Sequence, residues 1–148
     1  MNSIVYIPYD LLKLTDHSAE LTIPDGYFND MSIITLNISS NGDLKRIEIG
    51  NNCFGKVRVF ELDGLSELES VVIGQQSFRI GDKERNDGSY RIVNCPKLKS
   101  IQIGFESFDD YHSFELNNLP FLQSIDIGEQ SFKYAPSFSL TSVIDGLV

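Results

Sequence analysis

The stretch DDYHSFE, residues 109–115, places Asp109, Asp110, His112 and Glu115 within seven positions. Carboxylates and imidazoles of this kind hold a metal ion when several converge on one point. The spacing argues against convergence, because Phe114 falls on an apolar position of an alternating stretch and so sends Glu115 to the outside. Asp109 and Asp110 fall in a turn, and the segment reads as a solvated acidic loop. The other histidine, His17, falls in a degenerate first copy of the chain's repeat, and neither Cys53 nor Cys95 has a histidine beside it to make it a nucleophile. There is no G-x-x-x-x-G-K, no G-x-S-x-G and no C-x-x-C. The chain is therefore expected to be no enzyme and to need neither cofactor nor metal. Asn37-Ile38-Ser39 is an N-glycosylation triplet, of consequence only in a secreted chain.

A chain of 148 residues fits one domain with a continuous core. Asp plus Glu outnumber Lys plus Arg by 21 to 12, giving a net charge of −9. That balance argues against nucleic acid and anionic membranes, both of which select clustered positive charge. No apolar run approaches the roughly 20 residues that span a bilayer, so no membrane insertion is expected. The N-terminal MNSIVYIPYDLLKL lacks the basic start of a secretory signal, which makes the cytoplasm the default compartment.

The dominant feature is a repeat. The phrase I/V-x-I-G-x-x-(S/C)-F begins at Ile47, Val71, Ile101 and Ile125, and its closing Phe54, Phe78, Phe108 and Phe132 stand 24, 30 and 24 residues apart. Leu44, Leu68, Leu98 and Leu122 precede each phrase by three positions. A second apolar pair follows it: Phe60 and Leu62, Tyr90 and Ile92, Phe114 and Leu116, Phe138 and Leu140. Three residues later comes another apolar column, Leu65, Cys95, Leu119 and Val143. A degenerate first copy sets Leu21, Ile23, Phe28, Met31, Ile34 and Leu36 under Ile47, Ile49, Phe54, Val57, Phe60 and Leu62. Cys95 takes a core column and Cys53 the small-residue site of Ser77, Ser107 and Ser131. The two thiols thus lie in different columns of different copies, and no disulfide is expected.

Both apolar pairs alternate with period two, the pattern of strands and not of helices. One such unit cannot bury its own apolar side, but stacked units bury each other's. The expected fold is a β-rich solenoid of about five rungs, with residues 1–40 as N-terminal cap and first rung and 41–148 as regular rungs. Gly50, Gly74, Gly104 and Gly128 suit a position that needs positive φ or a close backbone approach.

L-x-x-I-x-I-G-x-x-(S/C)-F resembles the leucine-rich repeat, in the variant often called BspA-like, over Leu21 to Val143. The resemblance implies a right-handed solenoid with a parallel concave sheet and short convex strands; a compact parallel β-helix is the alternative. Only Asn52 matches the family's asparagine after the strand, since Gln76, Glu106 and Gln130 stand there in the other rungs. Some other hydrogen-bond arrangement must therefore satisfy that turn. The resemblance also implies a non-catalytic recognition surface for another protein, with the cell surface as a possible location; a structural spacer within a larger cell-surface or scaffold protein is the alternative.

The candidate contact residues face outward on the concave strands. They are Arg46, Ser70, Ser100 and Ser124 in one column and Glu48, Val72, Gln102 and Asp126 in the next, with Lys45, Glu69, Lys99 and Gln123 nearer the strand start. Phe105 joins them as an aromatic in a column otherwise made of Asn51, Gln75 and Glu129. A six-residue insert within 79–90 reads as a surface loop. IDGLV, residues 144–148, stops where a further rung would begin, so the expectations are a longer array, a partner over the end, or a tail folded across it. Open solenoid ends also lead to an expectation of end-to-end self-association.

Overall fold

A computed structural model describes residues 19–29, 34–38, 43–80, 88–133 and 137–143, with side chains described up to residue 133. Ten strands run in order through them: β1 (Glu20–Ile23), β2 (Thr35–Ile38), β3 (Arg46–Ile49), β4 (Val59–Asp63), β5 (Ser70–Ile73), β6 (Gly88–Val93), β7 (Ser100–Ile103), β8 (Tyr111–Leu119), β9 (Ser124–Ile127) and β10 (Ser137–Val143). Odd strands form one five-stranded sheet, β1-β3-β5-β7-β9, and even strands the other, β10-β8-β6-β4-β2. Every pairing is parallel, and the chain crosses from one sheet to the other and back once per rung. This is a β-solenoid, with no helix among the described residues.

The register follows the repeat. Ile47, Val71, Ile101 and Ile125 align across the first sheet, and Phe60, Tyr90, Phe114 and Phe138 across the second. In β1, β3, β5 and β7 every second residue is apolar and buried and the residues between, Val72 among them, are not, as the alternation requires. Phe28, Phe54, Phe78, Phe108 and Phe132 stack ring on ring between the sheets, with centroids 4.6 to 5.1 Å apart. Phe60, Tyr90 and Phe114 form a second stack at 5.0 and 4.9 Å and meet the first edge to face, Tyr90 on Phe108 at 4.9 Å for example. Offset stacking and edge-to-face contact are the arrangements that aromatic quadrupoles favour.

The turn after the first strand is where the fold departs most from ordinary backbone. Phe54, Phe78, Phe108 and Phe132 hold φ of 57°, 56°, 56° and 54°, a region that large side chains avoid. Asn52, Gln76, Glu106 and Gln130, two residues earlier, are also positive, at 55° to 66°. A hydroxyl ladder fixes this turn. Ser77 Oγ accepts from the Cys53 N–H at 3.1 Å and donates to the Gly50 carbonyl at 2.7 Å. Ser107 does the same between the Ser77 N–H and the Gly74 carbonyl, and Ser131 between the Ser107 N–H and the Gly104 carbonyl. Each serine joins its own rung to the one before, the task that an asparagine ladder was expected to leave undone. A shorter amide ladder occupies the opposite turn, where Asn118 donates to Asn94 at 2.9 Å and Asn94 to Asp63 at 3.1 Å.

The recurring glycine position answers to close approach and not to positive φ. A Cβ on Gly104 would stand 2.7 Å from the Gly74 carbonyl carbon, and one on Gly128 2.7 Å from that of Gly104. Rungs lie so near each other there that no side chain fits.

Two sequence expectations need correction. In the first rung, Leu36 pairs with Phe60 and Ile38 with Leu62, so the alignment by 26 residues fails on the second sheet. Ile34, set under Phe60 by that alignment, is 56 % exposed. Leu36 follows Phe28 by eight positions where Phe60 follows Phe54 by six, so two extra residues enter the same turn that carries the longer insert. Asp109 and Asp110 are not a solvated loop: they are 3 % and 1 % exposed. Asp109 sits between Arg79 of the preceding rung and Lys133 of the following one, 3.5 Å from each. These three residues and Gly55 each follow a stacked phenylalanine, so the stacking of rungs builds the alternating charge column. Leu12 and Leu14 of the expected N-terminal cap, His17, Met31, residues 81–87 of the insert and residues 144–148 lie outside the described residues.

Candidate functional site

The first sheet turns one face to the core and the other outward, and the outward columns follow from the pairing. Arg46 aligns with Ser70, Ser100 and Ser124, and Glu48 with Val72, Gln102 and Asp126. The preceding column is also in register: Glu69 N–H donates to the Lys45 carbonyl, Lys99 to Glu69 and Gln123 to Lys99, at 2.8 to 2.9 Å. Parallel strands about 4.8 Å apart therefore display a grid of side chains at fixed spacing. Arg46, Glu48, Gln102, Ser124 and Asp126 are exposed, and Ser70, Val72 and Ser100 are half-buried.

Among the described residues these eight side chains make one ion pair, Arg46 with Glu48 at 3.6 Å, and no side-chain hydrogen bond. An exposed pair on one strand at that distance stabilises by about 0–1 kcal/mol. The grid has almost no internal chemistry to disrupt.

Phe105 lies at the end of β7 and is 38 % exposed. It lies one rung beyond a turn ladder in which Asp25 Oδ1 accepts the Asn51 N–H and Asn51 Oδ1 accepts the Gln75 N–H, both at 2.8 Å. In that column the phenyl of Phe105 offers no acceptor to the rung that follows and presents an apolar surface instead. At the opposite end of the same sheet, Phe121 is 60 % exposed beside an open cleft of about 270 Å³ lined by Glu69, Lys97, Lys99 and Phe121. Phe121 occupies the column of Glu67 and Lys97, which pair with each other at 2.9 Å. Sequence reasoning singled out Phe105 and missed Phe121, although the same signal, an aromatic in a charged column, marks both.

The second sheet's outward face is built differently. Arg91 reaches Glu61 on one side at 2.6 Å and Glu115 on the other at 2.9 Å. Burial alone would lower the Arg91 pKa, but the hydrogen bonds to Glu115 and Glu61 outweigh it and hold the guanidinium above its ordinary value. The charges of β4, β6 and β8 thus satisfy one another across three rungs.

The remaining reactive groups are internal. Cys53 and Cys95 are free and buried. The Cys53 thiol donates to the Pro24 carbonyl at 3.1 Å, filling the ladder position of the serines, and burial raises its pKa. Burial pushes the Cys95 thiol up to about 11. His112 Nδ1 lies 3.4 Å from the Asp110 carbonyl oxygen. Among the described residues no group of three His, Cys, Asp or Glu side chains could hold a metal ion, and no helix is long and apolar enough to cross a membrane. Compared with family models, with curated proteins and with solved structures, the chain finds no match.

Proposed function

We propose that this protein is a non-catalytic interaction module that binds another protein along the outward face of its first sheet. The observation that carries this reading is the contrast in side-chain partners. Arg46, Glu48, Ser70, Val72, Ser100, Gln102, Ser124 and Asp126 form an ordered grid with a single weak ion pair. The second sheet spends its charges internally. A preorganised face costs little conformational entropy to dock against, because its backbone is already fixed. Phe105 and Phe121 supply apolar anchors at the two ends of the sheet, in keeping with the aromatic enrichment of binding hot spots. We assign the rungs to the leucine-rich-repeat type on the L-x-x-I-x-I-G-x-x-(S/C)-F pattern, and that assignment supports recognition over catalysis. A net charge of −9 favours a protein partner over nucleic acid.

The test is affinity capture with the whole chain as bait, beside Arg46→Glu combined with Asp126→Lys and beside Phe121→Ser. Partners held by the wild type and lost by the charge-reversed variant support the face. Partners held equally by all three contradict it. A wild type that retains nothing specific favours the second reading, a spacer within a larger cell-surface or scaffold repeat protein.

A further inference from the structure

The cleft beside Phe121 has a chemistry that the serine columns lack. Glu69, Lys97 and Lys99 precede Phe121 by one or two rungs, so its ring borders a space on the side of the solenoid's own earlier rungs. The lining is mostly apolar, made of the phenyl group and the methylene stems of the two lysines. At about 270 Å³ the cleft is smaller than the roughly 300–1,000 Å³ of sites that enclose a cofactor or a drug-sized ligand. It holds one large side chain and not a metabolite.

The charges around it do not pair off one to one. Lys97 Nζ donates to Glu67 Oε1 at 2.9 Å. That bond, with the charge of Glu69 behind it, holds the Lys97 ammonium above its ordinary pKa. Both nearby carboxylates therefore serve Lys97. Lys99 is exposed and makes no ion pair or side-chain hydrogen bond among the described residues. Phe121 likewise meets no other ring there, whereas every buried phenylalanine stacks on one. An unmatched ring and an unmatched ammonium thus stand at one cleft.

Taking the first sheet's outward face as the recognition surface, we propose that this cleft receives an aromatic side chain of the partner protein followed directly by an aspartate or glutamate. The ring lies against Phe121 and the lysine stems, where aromatic contact is favoured. The carboxylate meets the Lys99 ammonium, the cation that the chain itself leaves without a partner. A basic residue in place of the carboxylate would meet an unneutralised like charge, which makes the cleft selective as well as adhesive.

The chain contains no tryptophan, so the indole of an added peptide is read against a dark background. Acetyl-Gly-Trp-Asp-Gly-amide and its counterparts with Lys or Gln after the Trp would be titrated with the whole chain and followed by indole emission. The Asp peptide should shift to the blue and saturate, binding about tenfold tighter than the Lys peptide, with the gap closing in added salt. Phe121→Ser should weaken the Asp peptide about tenfold. Lys99→Gln should weaken it about threefold and leave the Gln peptide unchanged. Both side chains are exposed, so the fold is retained. The proposal is overturned by a wild type that gives no saturable shift, by equal binding of the Asp and Lys peptides, or by indifference to either variant. Protein partners lost by Arg46→Glu with Asp126→Lys, in a chain that binds none of these peptides, would leave the recognition face standing and remove only the acidic-aromatic occupant of the cleft.

Discussion

The outward faces of the two sheets are made from the same rungs and do opposite things. On the second, Glu61, Arg91 and Glu115 lock together across β4, β6 and β8. On the first, serines and a glutamine stand in the equivalent relation across β5, β7 and β9 with no partner among the described residues. The turns differ in the same sense. The turn leaving the first sheet begins with a glycine that no side chain can replace, whereas Gly64 in the opposite turn has φ of +74° and open space where a Cβ would go. Rungs also approach closely within the second sheet, where a Cβ on Gly88 would stand 2.8 Å from the Tyr111 Cα, so what sets the first sheet apart is an outer face without charge pairs between rungs. A solenoid held together by its core and its turn ladders does not need the outer side chains of that sheet, so they are available for recognition.

The largest expected effect probes the turns. Gly104→Val forces a branched side chain into the Gly74 carbonyl and should cost about 3 kcal/mol or more in urea unfolding. Gly64→Asn meets nothing within 4 Å, and asparagine tolerates the left-handed region. Its stability should stay within about 0.5 kcal/mol of wild type or exceed it. Equal losses at both sites would erase the distinction between the turns.

The buried thiol of the second-sheet side gives a pH dependence. Cys95 rises from 9.0 to about 11 on folding because burial disfavours the thiolate. A raised folded pKa contributes stability that is complete below 9, where the unfolded thiol is also protonated, and that is lost as pH climbs through 11. The loss should reach about 2 kcal/mol between those limits. Cys95→Val should flatten that part of the profile. Tyr90, whose buried hydroxyl is also raised, adds to the loss above its ordinary range and remains in the variant.

Smaller again is the direct comparison of faces. Arg91→Met strands Glu61 and Glu115 on neighbouring rungs and should cost about 1 kcal/mol, less in high salt. Arg46→Met removes only the contact with Glu48 at 3.6 Å and should cost under about 0.5 kcal/mol.

The sequence made the rungs, both strand sets and the outward columns legible, because period-two alternation and the recurring glycine and phenylalanine record the pairing directly. It did not make Asp109 legible. Its burial depends on Arg79 and Lys133, which lie 30 and 24 residues away and meet it only once the rungs stack. The serine at the ladder position is visible as a column, but its bond to a carbonyl one rung back follows only from the turn geometry at the phenylalanines. The first rung was misaligned on its second strand because apolar residues at 34, 36 and 38 fit either register. Pairing chose the one that buries Leu36 and Ile38. Phe121 escaped notice because its column lies between strands, where alternation gives no guide to exposure.

The most direct test of the central claim replaces the grid without reference to any partner. Ser70, Ser100, Gln102 and Ser124 would be changed together to threonine, a good strand former, and unfolding in urea compared with wild type. If the first sheet's outer face carries no structural duty, the four-fold variant will match wild-type stability within about 0.5 kcal/mol or exceed it. A loss of about 2 kcal/mol or more would mean that these side chains hold the solenoid together, and the account of a face kept free for binding would be wrong.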